Sequence, residues 1–338
     1  MFFLVTLQPD WERNVELIIG NENKMIETIN FEELKWLHVI DPDETDYQYL
    51  SDTFAFHPLD IEDCRATNQR PKIDEYDDYY FLILHFPYLD KSNKFIRLKE
   101  VKVFWGKDYI VTIGRSHWVV KNLFEQVRQM VQHNAEGIAS KEEEEQIEQI
   151  GASSDALLYN LLDRLMVETY TLILRIGSEV DSINYDIFTK KPEKVIEHLS
   201  LTRKNIILLN TTFKPQIRVF HKFESGGIKG YAEDMVDYWG NILDQYQRMF
   251  DMVEDYGELI EGLSHTFDSL QANKTNEIMK VLTFLSTIML PLTVVSSIYG
   301  MNLDLPFQSS KYAFWGIIAV MLVIVVLFFF YFKRRRWL

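Results

Sequence analysis

The sequence predicts an α+β domain that is followed by long helices and ends in two membrane-spanning helices. Three observations predict this fold. Short β-rich runs are confined to the first ~115 residues, long heptad-like apolar patterns follow them, and two uninterrupted apolar stretches, 281–298 and 312–332, lie at the carboxyl end. About 20 apolar residues at a rise of ~1.5 Å cover the ~30 Å core of a bilayer. Each stretch is therefore long enough to cross a membrane as a helix.

The first 150 residues (1–150) form the predicted cytoplasmic α/β domain. Its β-rich runs are 2–7, 15–19, 35–40, 79–88, 96–104 and 109–113. Alternating apolar and polar residues in the last two runs are typical of half-buried strands. Between the runs 35–40 and 79–88, Pro58 suits a first helical position, and the acidic residues after it suit the positive end of the helix dipole. Strand patterns end near Trp118, and we interpret the polar stretch 137–154 as an exposed helical segment or a linker.

Two helices are predicted between residues 151 and 222. One apolar stripe runs from Leu158 to Ile187, and another runs from Val195 to Phe213. Pro192 lies between the stripes and marks the break. The lengths of the stripes and the position of the turn predict an antiparallel helical pair.

A third helical pattern is longer than both. Apolar residues recur at spacings of four and three from Met235 to Leu270, which is a heptad seam of about five repeats. Pro291 is the first proline after Pro215, so no helix breaker separates this seam from the first apolar stretch. We therefore expect one helix over 231–298, on the order of 100 Å long. Its seam needs partners, and we expect these to be copies of the same chain.

The distribution of charge predicts the orientation. Lys280 precedes the first span, a basic tail (333–338) follows the second, and the loop 299–311 holds only Asp304 and Lys311. By the positive-inside tendency, both ends lie in the cytoplasm of a cell-membrane protein and the loop lies outside. We expect no signal peptide at the amino end, because the apolar run there has no basic region before it.

The total charge of −15 also constrains the partners. Residues 278–338 carry six Lys/Arg and one Asp, so the preceding residues carry about −20. So acidic a region should repel nucleic acid and attract cations. Cys64 is the only cysteine, which excludes disulfides within the chain and thiolate metal clusters. No phosphate-binding glycine loop or nucleophile elbow is present, and we expect no enzyme activity.

The polar residues of the first span indicate a pore. Two helices cannot enclose a water-filled path, but several chains could do so if the polar side of each first span faced a common axis. The candidate pore-lining residues lie along one side of the helix: Asn276, Met279, Leu282 or Thr283, Ser286, Leu290, Thr293 and Ser297. Alternatively, the Ser and Thr hydroxyls bond their own helix carbonyls and line nothing.

The segment Tyr299-Gly300-Met301-Asn302 resembles the GMN signature of the CorA-type magnesium transporter family. It lies between two carboxyl-terminal spans, and 57–63 (HPLDIED) and 68–72 (NQRPK) resemble further family hallmarks. The resemblance implies a funnel-shaped homopentamer: an α/β domain, an acidic helical pair (151–222), a stalk helix that continues into a pore-lining helix (231–298), and an outer helix (312–332). The segment 303–307 departs from the Met-Pro-Glu-Leu of many members.

The resemblance also implies site residues for Mg²⁺, which would be both cargo and regulator. Tyr299, Gly300, Met301 and Asn302 would form the selectivity filter, where Asn302 amide oxygens accept hydrogen bonds from the waters of hydrated Mg²⁺. A ring of Thr293 hydroxyls would form a second station, while Leu282, Leu290 and Met279 form an apolar neck and Asn276 the cytoplasmic mouth. The carboxylates for sensing internal Mg²⁺ would be Asp63, Asp234 and Asp237. Repulsion between them would splay the funnel until Mg²⁺ binds.

Three functions remain as hypotheses at this point. The first is a channel for hydrated Mg²⁺, and also Co²⁺ or Ni²⁺, driven by the membrane potential. The second is a zinc-preferring transporter of the same superfamily, although pore residues without Cys or His favour a hard ion. The third is a membrane-anchored signalling or scaffold oligomer. Asn302→Ala distinguishes a channel from a scaffold, because it should abolish ion flux in the channel and have little effect on the scaffold.

Overall fold

The computed structural model describes residues 15–20, 24–31, 34–90, 94–114, 117–232, 235–301 and 312–335. The predicted strand 2–7 and most of the loop 299–311 lie outside these residues. The chain divides into two compact units, Met1–Glu261 and Gly262–Leu338.

The first unit is built on a mixed seven-stranded sheet. Its strands are β1 (Val15–Gly20), β2 (Lys24–Asn30), β3 (Lys35–Val39), β4 (Lys72–Glu75), β5 (Tyr79–Asp90), β6 (Phe95–Gly106) and β7 (Tyr109–Ile113). The order is β1-β2-β3-β7-β6-β5-β4. Only the β3–β7 pair among these strands is parallel. The predicted strands 15–19, 35–40, 79–88, 96–104 and 109–113 are confirmed, whereas β2 and β4 were not predicted.

One face of the sheet is covered by two short helices, α1 (Glu44–Phe54) and α2 (Pro58–Arg65). Phe81 and Phe104 of the sheet and Phe56 before α2 are buried there, and the rings of Phe56 and Phe104 stack with centroids 3.8 Å apart. The predicted start of α2 is confirmed: Pro58 is its first residue and His57 is its N-cap. The core on this face therefore fixes the position of α2 and its acidic residues.

The other face of the sheet contacts three helices, α3 (Trp118–Ala135), α5 (Ser154–Thr189) and α6 (Pro192–Glu224). A further helix, α4 (Lys141–Gly151), lies between α3 and α5 in the chain. The polar stretch 137–154 is thus helical, and a capping box between Ser140 and Glu143 starts α4. The helical pair with a break at Pro192 is present. Its expected acidic character is wrong, because residues 151–222 hold ten Lys/Arg and eight Asp/Glu. Only α5 is acidic.

The heptad seam belongs to α7 (Val236–Tyr299), a single helix of 64 residues. The helix begins five residues after the predicted start at 231. The expectation that the seam is reserved for other copies is wrong for its first half, because the chain covers it. Tyr246 stacks on Phe213 of α6, with centroids 4.6 Å apart, and Trp239 packs on Phe223. The seam pattern does not distinguish packing within a chain from packing between chains.

Two buried amides of α6 complete the hydrogen bonding of the sheet. Gln216 accepts from the backbone N–H of His85 at 2.7 Å and donates to its carbonyl at 3.1 Å. β4 starts opposite Ile83 and leaves this side of His85 without a strand partner. Asn205 similarly accepts from the N–H of Ile96 at 3.0 Å. Because unpaired buried backbone groups are costly, these side chains fix α6 against β5 and β6.

The connection from α6 to α7 is held by a buried carboxylate. Asp155, in the first turn of α5, accepts from the backbone N–H of Tyr231 at 3.1 Å. Gly230 has a φ of +64°, and a Cβ there would lie 2.2 Å from an Asp155 oxygen. The close approach and the positive φ both require glycine at this position.

Candidate ion pathway and regulatory carboxylates

The second unit contains two candidate membrane spans. They are the apolar end of α7 and most of α8 (Ala313–Arg334), each long and apolar enough to cross a bilayer. Within this unit, Phe284 of α7 meets Phe332 of α8 with ring centroids 5.3 Å apart. The two spans therefore form a helical pair within one chain.

Exposure divides the α7 span into two faces. The partly buried residues recur at helical spacing, and α8 has a matching stripe. On α7 they are Phe284, Thr287, Ile288, Pro291, Leu292 and Val295; on α8 they are Ile317, Met321, Ile324, Val325 and Phe328, together with the buried Phe332. We conclude that these stripes face each other. The rest of the α7 span is exposed in the single chain.

The predicted pore-lining residues all lie on the exposed face of α7. Asn276, Met279, Leu282, Ser286, Leu290 and Thr293 are exposed, as are Thr283 and Ser297. Leu282 and Leu290 are 56% and 67% exposed, although both are large and apolar. This face has no partner among the described residues of the chain, so lipid or another chain must cover it in a membrane.

The threonine hydroxyls on this face bond the helix, as the alternative interpretation expected. Thr293 donates to the carbonyl of Met289 at 2.9 Å, and Thr283 donates to that of Met279 at 2.8 Å. Such a bond uses the hydroxyl proton and leaves oxygen lone pairs available. A hydrated cation presents water hydrogens, which need acceptors. The helix bond is therefore compatible with the role expected for Thr293.

The predicted filter begins where α7 ends. Tyr299 is the last helical residue, and the N–H of Gly300 still bonds the carbonyls of Ser296 and Ser297 at 3.0 and 3.2 Å. Gly300 is not among the residues with positive φ; a Cβ there would lie 3.1 Å from the oxygen of Ser296. Close approach to this carbonyl is thus what favours glycine. Met301 is exposed, and Asn302 lies outside the described residues.

A pocket of about 500 Å³ lies at the polar end of the α7 span. It is lined by Asn276, Met279 and Thr283 together with Glu277 and Lys280. The sequence argument used Lys280 only for orientation and did not select Glu277. Lys280 lies four residues after Asn276 and three residues after Glu277, so helical spacing would have identified it as a neighbour of both on the helix surface.

Asp63, the first predicted regulatory carboxylate, is paired with a lysine of its own chain. The Nζ of Lys72 lies 2.6 Å from an Asp63 carboxylate oxygen, and Lys72 also pairs with Asp74. Burial lowers the pKa of Lys72, but the hydrogen bonds that its ammonium group donates to Asp63 and Asp74 outweigh burial and raise the pKa well above its usual value. A divalent cation at Asp63 would have to compete with this ammonium group.

A second carboxylate, Asp60, lies one turn before Asp63 and was not predicted. It is buried and accepts hydrogen bonds from the hydroxyls of Tyr79 and Tyr76, at 2.9 and 3.2 Å. Burial raises the pKa of Asp60, and the two tyrosines and Lys72 oppose the rise. Asp60 therefore anchors α2 on the sheet, which positions Asp63 on the more exposed side of the helix.

The remaining regulatory candidates are on or just before α7. Asp237 lies in the first turn of α7 and is exposed, and Asp234 lies outside the described residues. In the described part of the chain, no three His, Cys, Asp or Glu side chains are grouped closely enough to hold a metal ion. Neither Asp63 nor Asp237 therefore belongs to a group of this kind within the described part of the chain.

Comparison with known proteins gives consistent relationships. The family model of the CorA-like Mg²⁺ transporter protein matches residues 31–334. The cobalt/magnesium transport protein CorA of Thermotoga maritima is 28% identical over 288 residues, covering 85% of this chain and 78% of the relative. The complete structure of the CorA magnesium transporter from Methanocaldococcus jannaschii aligns with a TM-score of 0.75 at 20% identity, covering 93% and 95% of the two chains. Full-length CmaX aligns with a TM-score of 0.69 at 17% identity, covering 95% and 91%.

Proposed function

Because the chain belongs to the CorA-like Mg²⁺ transporter family, a family of divalent-cation transporters rather than enzymes, we propose that it is a homo-oligomeric channel for hydrated Mg²⁺. One observation carries the proposal. One face of the α7 span packs on α8, while the face with Asn276, Ser286 and Thr293 is uncovered in the single chain. Several copies with this face towards a common axis would enclose a polar path that lipid does not contact.

The chemistry of this face suits a hydrated ion. Mg²⁺ gives up its water shell reluctantly, so neutral acceptors that bond its waters are better ligands than groups that must strip them. The Thr293 oxygen and the Asn302 amide are such acceptors, and Leu282 and Leu290 would provide an apolar constriction. A membrane potential supplies ~2.3 kcal/mol per charge per 100 mV, and twice that for a divalent cation. No other energy source is needed for uptake.

One surface of the first unit favours self-association, as the homopentamer requires. Val167, Tyr170 and Leu174 form an exposed apolar stripe on α5, at spacings of three and four residues.

The part of α7 between 236 and 270 carries eight Asp/Glu and one Arg. Several copies of so acidic a segment would repel one another, and Mg²⁺ bound between them would reduce the repulsion.

We further propose that internal Mg²⁺ closes the channel at Asp63 together with Asp234 or Asp237 of a neighbouring copy. In this arrangement the ion replaces Lys72 as the partner of Asp63. A bound divalent cation would join two copies, whereas Lys72 pairs with carboxylates of its own chain. Closure of the channel therefore depends on Mg²⁺ replacing Lys72 as the partner of Asp63.

Ion-resolved flux into liposomes tests the proposal. The purified chain is reconstituted with an imposed potential, and uptake of Mg²⁺, Co²⁺, Ni²⁺ and Zn²⁺ is measured with internal indicators. Asn302→Ala should reduce flux to that of empty liposomes without changing the oligomer. Asn134→Ala, at an exposed position of α3, is the matched control and should leave flux unchanged. Faster Zn²⁺ than Mg²⁺ uptake would favour the zinc transporter, and an intact oligomer without flux of any ion would favour the scaffold.

A further inference from the structure

A cleft of about 750 Å³ in the first unit has the opposite charge to the chain as a whole. It lies between the segment leading into β4 and the second half of α6, and four basic side chains line it: Arg70, Lys72, Arg218 and Lys222. Asp74 is the one carboxylate among the described lining residues. The volume of the cleft is within the range of small-molecule sites. In a chain of net charge −15, four cations around one cleft indicate an anionic occupant.

Three of these cations have no carboxylate partner in the part of the chain that the structure describes. Arg70, Arg218 and Lys222 are exposed and take part in none of the ion pairs among the described residues, whereas Lys72 is held by Asp63 and Asp74. Elsewhere, Arg65, Arg97 and Arg128 each pair with a carboxylate.

The positions of the two basic side chains on α6 reduce the stability of the helix. Arg218 and Lys222 are four residues apart and therefore lie on one helix face, where like charges destabilise a helix by a few tenths of a kcal/mol. A multivalent anion between them would turn this repulsion into attraction. Both side chains line the same cleft, so one ligand can contact both.

The opposite wall is held rigidly by bonds to the sheet. The backbone N–H of Gln69 donates to Glu100 at 2.8 Å, and Lys72 is fixed by its two carboxylate partners. Arg70 lies between these anchors, next to Pro71, whose ring restricts the backbone. The backbone that presents Arg70 is thus already ordered, which lowers the entropy cost of binding.

The chemistry of the lining indicates the class of ligand. Two guanidinium groups match the oxygen geometry of phosphate, which they bind in bidentate pairs. Leu98, Leu208 and Val219 form an apolar part of the lining that an inorganic ion would not use. The geometry points to a binding site for a nucleoside triphosphate or a closely related organic polyphosphate. The site requires neither transport nor oligomerisation, so it goes beyond the proposed function.

Calorimetric titration of the full-length chain in detergent tests this inference. Divalent cations are removed with EDTA, and ATP and inorganic tripolyphosphate are titrated separately. We expect ATP to bind more tightly than tripolyphosphate, and the double variant Arg218→Gln/Lys222→Gln to weaken ATP binding at least tenfold. The matched control is Lys191→Gln/Lys194→Gln, which removes the same charge from exposed positions at the amino end of α6, away from the cleft. It should change the affinity less than twofold.

Arg70→Gln extends the test to the opposite wall and should weaken binding independently of α6. Unfolding temperatures of all variants check that the fold is kept. Equal losses in the two double variants would show that ATP responds only to total charge, which overturns the site. Failure of both anions to bind also overturns it. Equal affinities for ATP and tripolyphosphate would overturn the assignment to a nucleoside triphosphate.

Discussion

Replacing Gln216 with leucine removes the amide that links the sheet, α6 and α7. Gln216 is completely buried and makes three hydrogen bonds, two to the backbone of His85 and one, at 3.0 Å, to the hydroxyl of Tyr246. Leucine has a similar size but cannot bond, so three polar groups lose their partner. An unsatisfied buried group costs about 1–3 kcal/mol. With about 1.5 kcal/mol for each of the three groups and about 1 kcal/mol returned by burying the apolar side chain, we expect a loss of about 3–4 kcal/mol.

Tyr246→Phe is the matched control for this prediction. It removes a single bond and leaves the two bonds between Gln216 and His85, so we expect a loss of about 1 kcal/mol. Thermal unfolding of the full chain in detergent, followed by near-ultraviolet circular dichroism and tryptophan fluorescence, compares the two variants. At roughly 2–4 °C per kcal/mol, Gln216→Leu should lower Tm by about 6–16 °C, and Tyr246→Phe by about 2–4 °C. Equal shifts would refute the reasoning, because Gln216 would then contribute only its bond to Tyr246.

Three further predictions concern the first unit. Gly230→Ala should lower the unfolding temperature more than Gly226→Ala, because both have positive φ but only Gly230 faces the buried carboxylate of α5; equal effects would show that φ alone matters. Burial raises the pKa of Glu100, but the neighbouring His85, the ammonium group of Lys102 and the backbone N–H of Gln69 outweigh burial and lower the pKa from 4.5 to about 2. Glu100 therefore stabilises the fold above pH ~4.5 and loses this contribution as the pH falls towards 2. The stability gap to Glu100→Gln, at most about 3 kcal/mol, should shrink between pH 7 and pH 3, and a constant gap would contradict the pairing. Asp63→Ala should make transport less sensitive to internal Mg²⁺, whereas Lys72→Met should make it several-fold more sensitive, because the competing ammonium is lost. Flux into liposomes at graded internal Mg²⁺ measures both effects. If both variants changed the Mg²⁺ sensitivity in the same direction, competition between Lys72 and Mg²⁺ would be excluded.

The sequence predicted those parts of the fold whose periodicity is unambiguous. Strand β5 is a nearly continuous apolar run, β6 and β7 were predicted from alternation, and the apolar stripes of α5 to α8 are long. Strand β2 was missed because its buried residues include Glu27, which pairs with Arg128 of α3 at 3.4 Å. Strand β4 has four residues, three of them charged, and α1 buries few apolar side chains. Short elements with buried polar residues lack the periodic contrast on which such predictions depend.

The candidate site was predicted to a similar extent. The spacing of polar residues from Asn276 to Thr293 identified the face of α7 that α8 leaves uncovered, because helical spacing fixes which residues share a face. The pairing of Asp63 with Lys72 could not be predicted in the same way. The two residues are nine positions apart and belong to a helix and a strand, so only the packing of α2 on the sheet brings them together.

The ion pair of Lys72 has a consequence for selectivity. The cytoplasm holds abundant monovalent potassium, and bare carboxylates on a sensor would attract it continuously. An ammonium group tethered 2.6 Å from Asp63 occupies that position at a far higher local concentration than any free monovalent ion can reach. A doubly charged ion gains about twice the Coulomb energy from the same carboxylate. A lysine built into the fold can therefore keep such a sensor silent towards potassium and leave it responsive to divalent metal.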